Sequence, residues 1–357
     1  MKILFLAPAN SVHTVRWVNA LSQDNEVNLV SLSNHSQREH IIDKKVKINY
    51  LPIAGGKGYY LNGFYMSRIA NSFQPDVINV HYASGYGTLA RIAHLPNIIL
   101  SVWGSDVYEF PYQSKVKMRI LRKNMQYASR IASTSFAMKR QVERFVKDKK
   151  IEVTPFGVDV SLFKKIENEQ NEEFTVVLIK TLSKKYGIDT VIKAFDLFEK
   201  KIAGQAKLLI YGQGEEQQEL EELTRMLGLE KKIFFEGYVK NDLIPYIYSK
   251  ADVACFGSRQ ESFGVSAVEA MACEIPVIAT AADGFREVVN DGKTGFIVEI
   301  DSPAEMCERL YQLYLSKSLR ISMGKAGRRR VEELYSWNKN VENMLYVYKK
   351  QIMNIRK

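Results

Sequence analysis

The sequence predicts an α/β protein with two Rossmann-like domains, each built on a parallel sheet, facing a central cleft. Three observations predict it. Short runs rich in Val, Ile and Leu alternate with longer amphipathic runs along the whole chain, which is the sequence form of repeated strand–helix–strand units. The alternation breaks at VTPFGVDVSLF, Val153 to Phe163, and at the polar run Lys164 to Glu173, then restarts. The 357 residues exceed what one core usually holds, and 46% of them are hydrophobic, which is ample for burial.

In the first series the strands read KILFLAP, EVNLVSLS, VKINYLPI, VINVHYA, IILSVWG and RIASTS, with a seventh candidate at Ile151 to Thr154. Helices are expected from near His13, Tyr60, Gly85, Lys115 and Phe136. The second series restarts at Phe174 and runs through LLIYG, IFFEG, VACFG, PVIAT and GFIV. Residues 1–155 therefore form one expected domain and 156–335 the other. In the last segment, 336–357, Trp337, Val341, Met344, Leu345, Tyr348 and Ile352 recur at helical spacing, and periodicity alone lets that helix close either domain.

No apolar run approaches the ~18 residues of a membrane span, and the first strand passes into Asn10 and Ser11 without a signal-cleavage pattern. A cytoplasmic location is the expectation. Cys255, Cys273 and Cys307 are too few and too scattered for a disulfide framework or a zinc site, so buried thiols are expected.

The chemistry concentrates in ESFGVSAVE, Glu261 to Glu269. The small and apolar run from Gly264 to Ala272 reads as a helix packed closely on a sheet, with Ser262 as candidate cap. Glu261 then lies at the positive helix end, beside the amides of Phe263, Gly264 and Val265, a cluster suited to diphosphate. Glu269 follows about two turns later. Any helix can carry glutamates eight apart, so the flanks decide the matter.

Glu261 and Glu269 match the Glu-x(7)-Glu signature of retaining glycosyltransferase family 4, and Lys207 to Val239 and Pro276 to Val298 resemble its donor domain in the expected order. The resemblance implies the GT-B fold, a last helix crossing back to the N-terminal domain, and transfer from a nucleoside-diphosphate sugar. Glu261 would contact donor-sugar hydroxyls and Glu269 the ribose. A UDP-sugar is favoured over a GDP-sugar, with no cofactor and no metal, in keeping with the lack of any Asp-x-Asp. The family's usual phosphate-binding lysine is replaced by Tyr186, so Lys180 takes the phosphate role, with Lys184 or Lys185 as second cation. Gly212 and Gly214 would line the nucleotide side, and Tyr238 with Val239 the base, although each glycine equally suits a tight turn. The third glycine of a nicotinamide fingerprint is missing.

On the N-terminal side, APANSVHTVRWVNAL resembles members with a Ser-x-His-x-x-Arg-Trp loop, which sets Asn10, Ser11, His13 and Arg16 toward the acceptor, while Trp17 reads as core. VWGSDVY resembles the family's His-Gly-Thr-Asp turn with Trp103 in place of histidine. Asp106 is either an acceptor-orienting carboxylate or a helix cap. His81 points to the same edge or is a satisfied core histidine.

Gln113 to Lys150 holds twelve Lys or Arg against two acids, an excess equal to the chain's net charge of +10. With the aromatic and basic Gly55 to Phe73, it suits an anionic membrane surface at the inner face, and no nucleic-acid motif accompanies it. The expected activity is retaining transfer to a lipid-linked or glycan acceptor in capsule, O-antigen or exopolysaccharide assembly. The alternatives are a GT-B nucleotide-sugar 2-epimerase and a non-catalytic protein that binds polyanions or membranes.

Overall fold

The computed structural model describes residues 1–37, 41–167 and 173–355, and the part of the expected linker at 168–172 lies outside the described residues. The chain divides into two compact units, Met1–Pro155 with Asn340–Lys357, and Phe156–Lys339.

The first unit holds a parallel sheet of β1 (Lys2–Leu6), β2 (Glu26–Leu32), β3 (Lys47–Leu51), β4 (Val77–His81), β5 (Ile99–Ser101), β6 (Arg130–Ser133) and β7 (Ile151–Val153), in the order β3-β2-β1-β4-β5-β6-β7. The second holds β8 (Phe174–Ile179), β9 (Ala206–Tyr211), β10 (Ile233–Gly237), β11 (Val253–Phe256), β12 (Val277–Thr280) and β13 (Gly295–Val298), ordered β10-β9-β8-β11-β12-β13 and again parallel. Central strands are apolar throughout because helices cover both their faces; every residue of β8 and four of the five in β1 are buried. The outermost β10 alternates between buried or partly buried and exposed residues, as a strand with one solvated face should. Chain direction across each sheet reverses once, between β1 and β4 and between β8 and β11. Loops leaving those strand ends diverge and open a crevice, which is where ligands of such sheets bind.

The single helix expected from Tyr60 is two, Gly55–Leu61 and Gly63–Phe73. Buried Asn62 fixes the bend between them, accepting from the Ile53 amide and donating to the Ile53 and Gly58 carbonyls. Gly58 must lack a side chain, since a Cβ there would lie 2.2 Å from the Ile53 carbonyl oxygen.

The helix Trp337–Ile355 belongs, from Asn340 onward, to the first unit. Buried Tyr348 donates to Asn79 Oδ1 at 2.8 Å, and Gln351 donates to the Asn97 carbonyl while accepting from Arg130. Those polar anchors are invisible to a hydrophobic-period reading. All three cysteines are buried and their thiols pushed up by burial. Among the described residues no helix is long and apolar enough to cross a membrane.

Candidate active site

Lys180 follows β8 and Glu261 follows β11, the two strands flanking the second sheet's reversal. The structure joins them: Lys180 Nζ lies 2.6 Å from Glu261 Oε2, with side chains 13% and 9% exposed. Main-chain contacts set both ends. The Glu261 carbonyl accepts from the Gly284 amide at 3.0 Å, and a Cβ on Gly284 would come within 2.5 Å of the Phe263 nitrogen. The Lys180 amide donates to the Tyr211 carbonyl. Beside it the loop after β9 presses so closely that Cβ atoms on Gly212 and Gly214 would lie 1.9 and 2.0 Å from the carbonyl oxygens of Lys180 and Leu182. These two glycines thus act first by letting one loop lie against another, whichever part of a nucleotide they also line.

The helix after Glu261 spans Val265–Ala272, and its cap is Gly264 at φ +97°, not Ser262. The left-handed backbone replaces a side-chain cap, and the Phe285 ring leaves no room there for a Cβ. Phe263, expected to act through its amide, buries its ring against Phe156 and Tyr335, so only its main chain can face a ligand. Val265 and Ser266 open the helix, partly buried, where backbone amides have no partner within the helix. Glu269 is buried in the second turn, and after burial itself its charge is the next cause raising the hydroxyl of Tyr248 and the thiol of Cys273.

Lys184, exposed, and Lys185, partly buried, sit on the short turn Lys184–Tyr186. Tyr186 serves as an aromatic seat, with Lys180 Nζ 4.5 Å and Lys185 Nζ 5.0 Å from its ring centroid. Arg259, absent from the sequence candidates, fastens this turn: its guanidinium donates to the Lys184 carbonyl at 2.6 Å, to both oxygens of Asp189 and to Asp301. The Arg259 amide adds a bond to the Lys185 carbonyl at 2.8 Å. Nothing local in the sequence marks a side chain whose partners come from two distant stretches, 184–189 and the loop at Asp301. Tyr238 follows Gly237 at the end of β10 and is 62% exposed, with Val239 partly buried behind it.

In the first unit Trp103 stands at the end of β5, with the rings of His81, His13 and Tyr82 at 4.5, 5.1 and 5.8 Å. Asn10, Ser11, His13 and Arg16 are partly buried around the start of the helix Val12–Leu21, whose Trp17 is in the core. Of the two readings of His81 the core one fits its surroundings: it is 1% exposed, lies against Phe5 and is bonded through Nε2 to Asn79. Burial, then the charge of His13, holds its pKa well below the usual value. Burial and then Arg16 lower His13 to about 4, so both imidazoles are neutral near pH 7. Tyr82, which the sequence reading missed, adopts φ 67°, a conformation costly for a residue with a side chain. Burial raises its phenol to about 12, and its hydroxyl bonds to Ser11.

Asp106 differs from its expected role. Both of its oxygens are occupied, Oδ2 by the Ala83 amide at 2.8 Å and Oδ1 by the amides of Trp103 and Gly104 at 3.0 Å. Burial raises this carboxyl although the amides pull it down. A carboxylate so placed clamps the loops after β4 and β5 together.

Residues 159–330 match the family described as glycosyl transferases group 1, and residues 2–135 match glycosyl transferase 4-like. N-acetyl-alpha-D-glucosaminyl L-malate synthase of Bacillus anthracis is 25% identical over 297 residues, which is 79% of this chain and 77% of that protein. An uncharacterized glycosyltransferase of Methanocaldococcus jannaschii is 28% identical over 349 residues, 95% and 93% of the two chains. Sucrose-phosphate synthase from Thermosynechococcus elongatus superposes with TM-score 0.83 at 18% identity over 99% of this chain and 100% of that one. Anabaena HepE in complex with UDP gives TM-score 0.83 at 18% identity over 98% and 100%. With both units matched and the paired sheets shared, the chain belongs to the family 4 glycosyltransferases and has the GT-B fold.

Proposed function

We propose that this glycosyltransferase moves a sugar from a nucleoside diphosphate, UDP before GDP, with retained anomeric configuration, to a hydroxyl of a lipid-linked glycan. The step belongs to capsule, O-antigen or exopolysaccharide assembly at the inner face of an anionic membrane. The observation that carries this reading is the Lys180–Glu261 pair beside the opening of the helix Val265–Ala272.

As the sugar–phosphate bond breaks, negative charge grows on the departing diphosphate. Lys180, with Lys185 as second cation and the amides of Val265 and Ser266, meets that charge in a site already organised before the reaction. Glu261 orients the sugar hydroxyls and steadies positive character on the ring, and Glu269 takes the ribose hydroxyls. The acceptor oxygen attacks the face from which the diphosphate leaves, held by Asn10, Ser11, His13, Arg16 and Trp103.

Support for UDP comes from Anabaena HepE, of the same fold, whose structures contain UDP and UDP-glucose. A GDP-mannose-dependent mannosyltransferase of Mycobacterium tuberculosis, 28% identical over 57% of each chain, makes GDP the competing base. A thermal-shift series with UDP-, GDP-, ADP- and dTDP-sugars separates them, since ligand at a hundred times its Kd adds about 2.7 kcal/mol of apparent stability. The largest shift is expected with a UDP-sugar. A shift confined to GDP-sugars overturns the base assignment, no shift with any overturns the donor site, and an inverted anomeric centre in the product overturns retention.

A further inference from the structure

One face of the first sheet carries a surface that donor chemistry leaves unused. Helices Gly63–Phe73, Gly85–Ile92 and Lys115–Tyr127 share a core through Met66, Ala70, Leu89, Leu121 and Met125, so their outward residues look the same way. At the bend before the first of them, Tyr60, Leu61, Phe64 and Tyr65 are 49%, 59%, 74% and 46% exposed. The bend is no loose end, because buried Asn62 holds it with three hydrogen bonds. On Lys115–Tyr127, Lys115, Arg119, Arg122 and Lys123 are exposed, with Val116 63% exposed among them. Neither 44–75 nor 110–142 contains an Asp or Glu.

Exposed rings and an acid-free cationic helix on one face, with the helix Gly85–Ile92 between them, complement an anionic bilayer: the rings settle at headgroup depth while the cations meet lipid phosphate. We infer that the first unit docks on anionic lipid through two parts, the aromatic bend 60–65 and the cationic helix Lys115–Tyr127. The surface is narrower than the charge count of 113–150 suggests. Arg130 is buried in an ion pair with Glu152, and Lys149 is spent on the Ala128 carbonyl. Single-stranded nucleic acid could stack on the rings, but Leu61 and Val116 offer it no partner.

The inference rests on the lipid-linked acceptor only for its purpose, so vesicles without donor or acceptor test it alone. The full chain is floated with phosphatidylcholine vesicles, with and without roughly one-third phosphatidylglycerol, across a salt series. Capture by the anionic vesicles at least about tenfold tighter than by neutral ones is expected. Lys115→Gln with Arg119→Gln should weaken low-salt capture by roughly fivefold per cation. Leu61→Ser with Phe64→Ser should weaken it at every salt concentration, while both variants keep the wild-type thermal shift with UDP. Equal capture by neutral vesicles, no capture, variants that bind like wild type, or tighter capture by a single-stranded oligonucleotide would each overturn the inference. Vesicle binding without transfer to any lipid-linked acceptor leaves this surface standing and sinks the acceptor reading; transfer without vesicle binding does the reverse.

Discussion

Lys180 with Glu261 in the second unit and Asp106 in the first all follow strand ends, the first two on the strands flanking a reversal of sheet order and Asp106 one strand beyond its sheet's reversal, yet their charges are satisfied in different ways. Glu261 is held by a lysine side chain, which a phosphate can take over. Asp106 is held by the amides of Ala83, Trp103 and Gly104, which no ligand displaces without breaking the loops. The difference teaches that position on the sheet nominates a residue, whereas exchangeability of its partner decides whether it can serve a ligand.

The largest effect that could break this contrast lies at Glu261. Glu261→Gln keeps the shape but removes the charge, and a turnover loss of roughly 10²–10³-fold is expected, the scale for losing one charge-stabilising group. Because Lys180 is then released from its ion pair, calorimetry should find UDP bound as tightly or more tightly. Weaker UDP binding with unchanged turnover would mean that the pair is structural, as Asp106 is.

Asp106→Ala should do the opposite. It leaves three buried amides without an acceptor, each worth about 1–3 kcal/mol when unsatisfied, and water recovers part of this, so a loss of about 3 kcal/mol in denaturant stability is expected. The thermal shift with UDP should survive at temperatures where the fold does. Wild-type stability combined with abolished transfer would make Asp106 an acceptor group and erase the distinction.

The fold was legible because buried parallel strands read as unbroken apolar runs, and Glu261 with Lys180 was legible because a spaced acid pair and a strand-end lysine are local features. What escaped depends on contacts between distant loops. Gly264 caps its helix in place of Ser262 because its left-handed backbone fits under Phe285, twenty-one residues away in sequence. Asp106 looked available because the Ala83 amide that takes its second oxygen comes from another strand's loop. Tyr82 gave no compositional sign, since backbone strain leaves none. Asn62 splits one expected helix into two through bonds to Ile53, which precedes both.

The neutral histidines of the first unit sharpen the contrast through pH. A histidine whose folded pKa is lowered takes up its proton later than the unfolded chain does, so its contribution is complete above pH 6.5 and is lost as pH falls toward about 4, the value for His13. His81, fully buried and held well below its usual value, should cost up to about 1.4 kcal/mol per pH unit where the unfolded imidazole is charged and the folded one is not, and partly exposed His13 less. Urea melts at pH 7 and pH 5 should show this loss in the wild type and a smaller one in His81→Phe, whose ring can still lie between Phe5 and Trp103. Identical losses in both proteins would place the acid sensitivity elsewhere.

Arg259 should give the smallest effect and the finest test of how the second unit keeps its cations exchangeable. Its side chain is 29% exposed, so its ion pairs with Asp189 and Asp301 contribute little to stability, under about 1 kcal/mol. Its consequence lies in the bond to the Lys184 carbonyl, which fixes the turn bearing Lys185 and the Tyr186 ring on which Lys180 rests. Arg259→Ala should therefore raise the donor KM by roughly fivefold, the equivalent of one neutral hydrogen bond, with kcat nearly unchanged, because a mobile turn must be ordered again by each donor. Arg259→Lys should restore little, since three donors on one nitrogen cannot span the four separate oxygens that the planar guanidinium holds. Full rescue by lysine would show that charge alone suffices there, and that the turn is positioned by its main-chain bonds to residues 259 and 260.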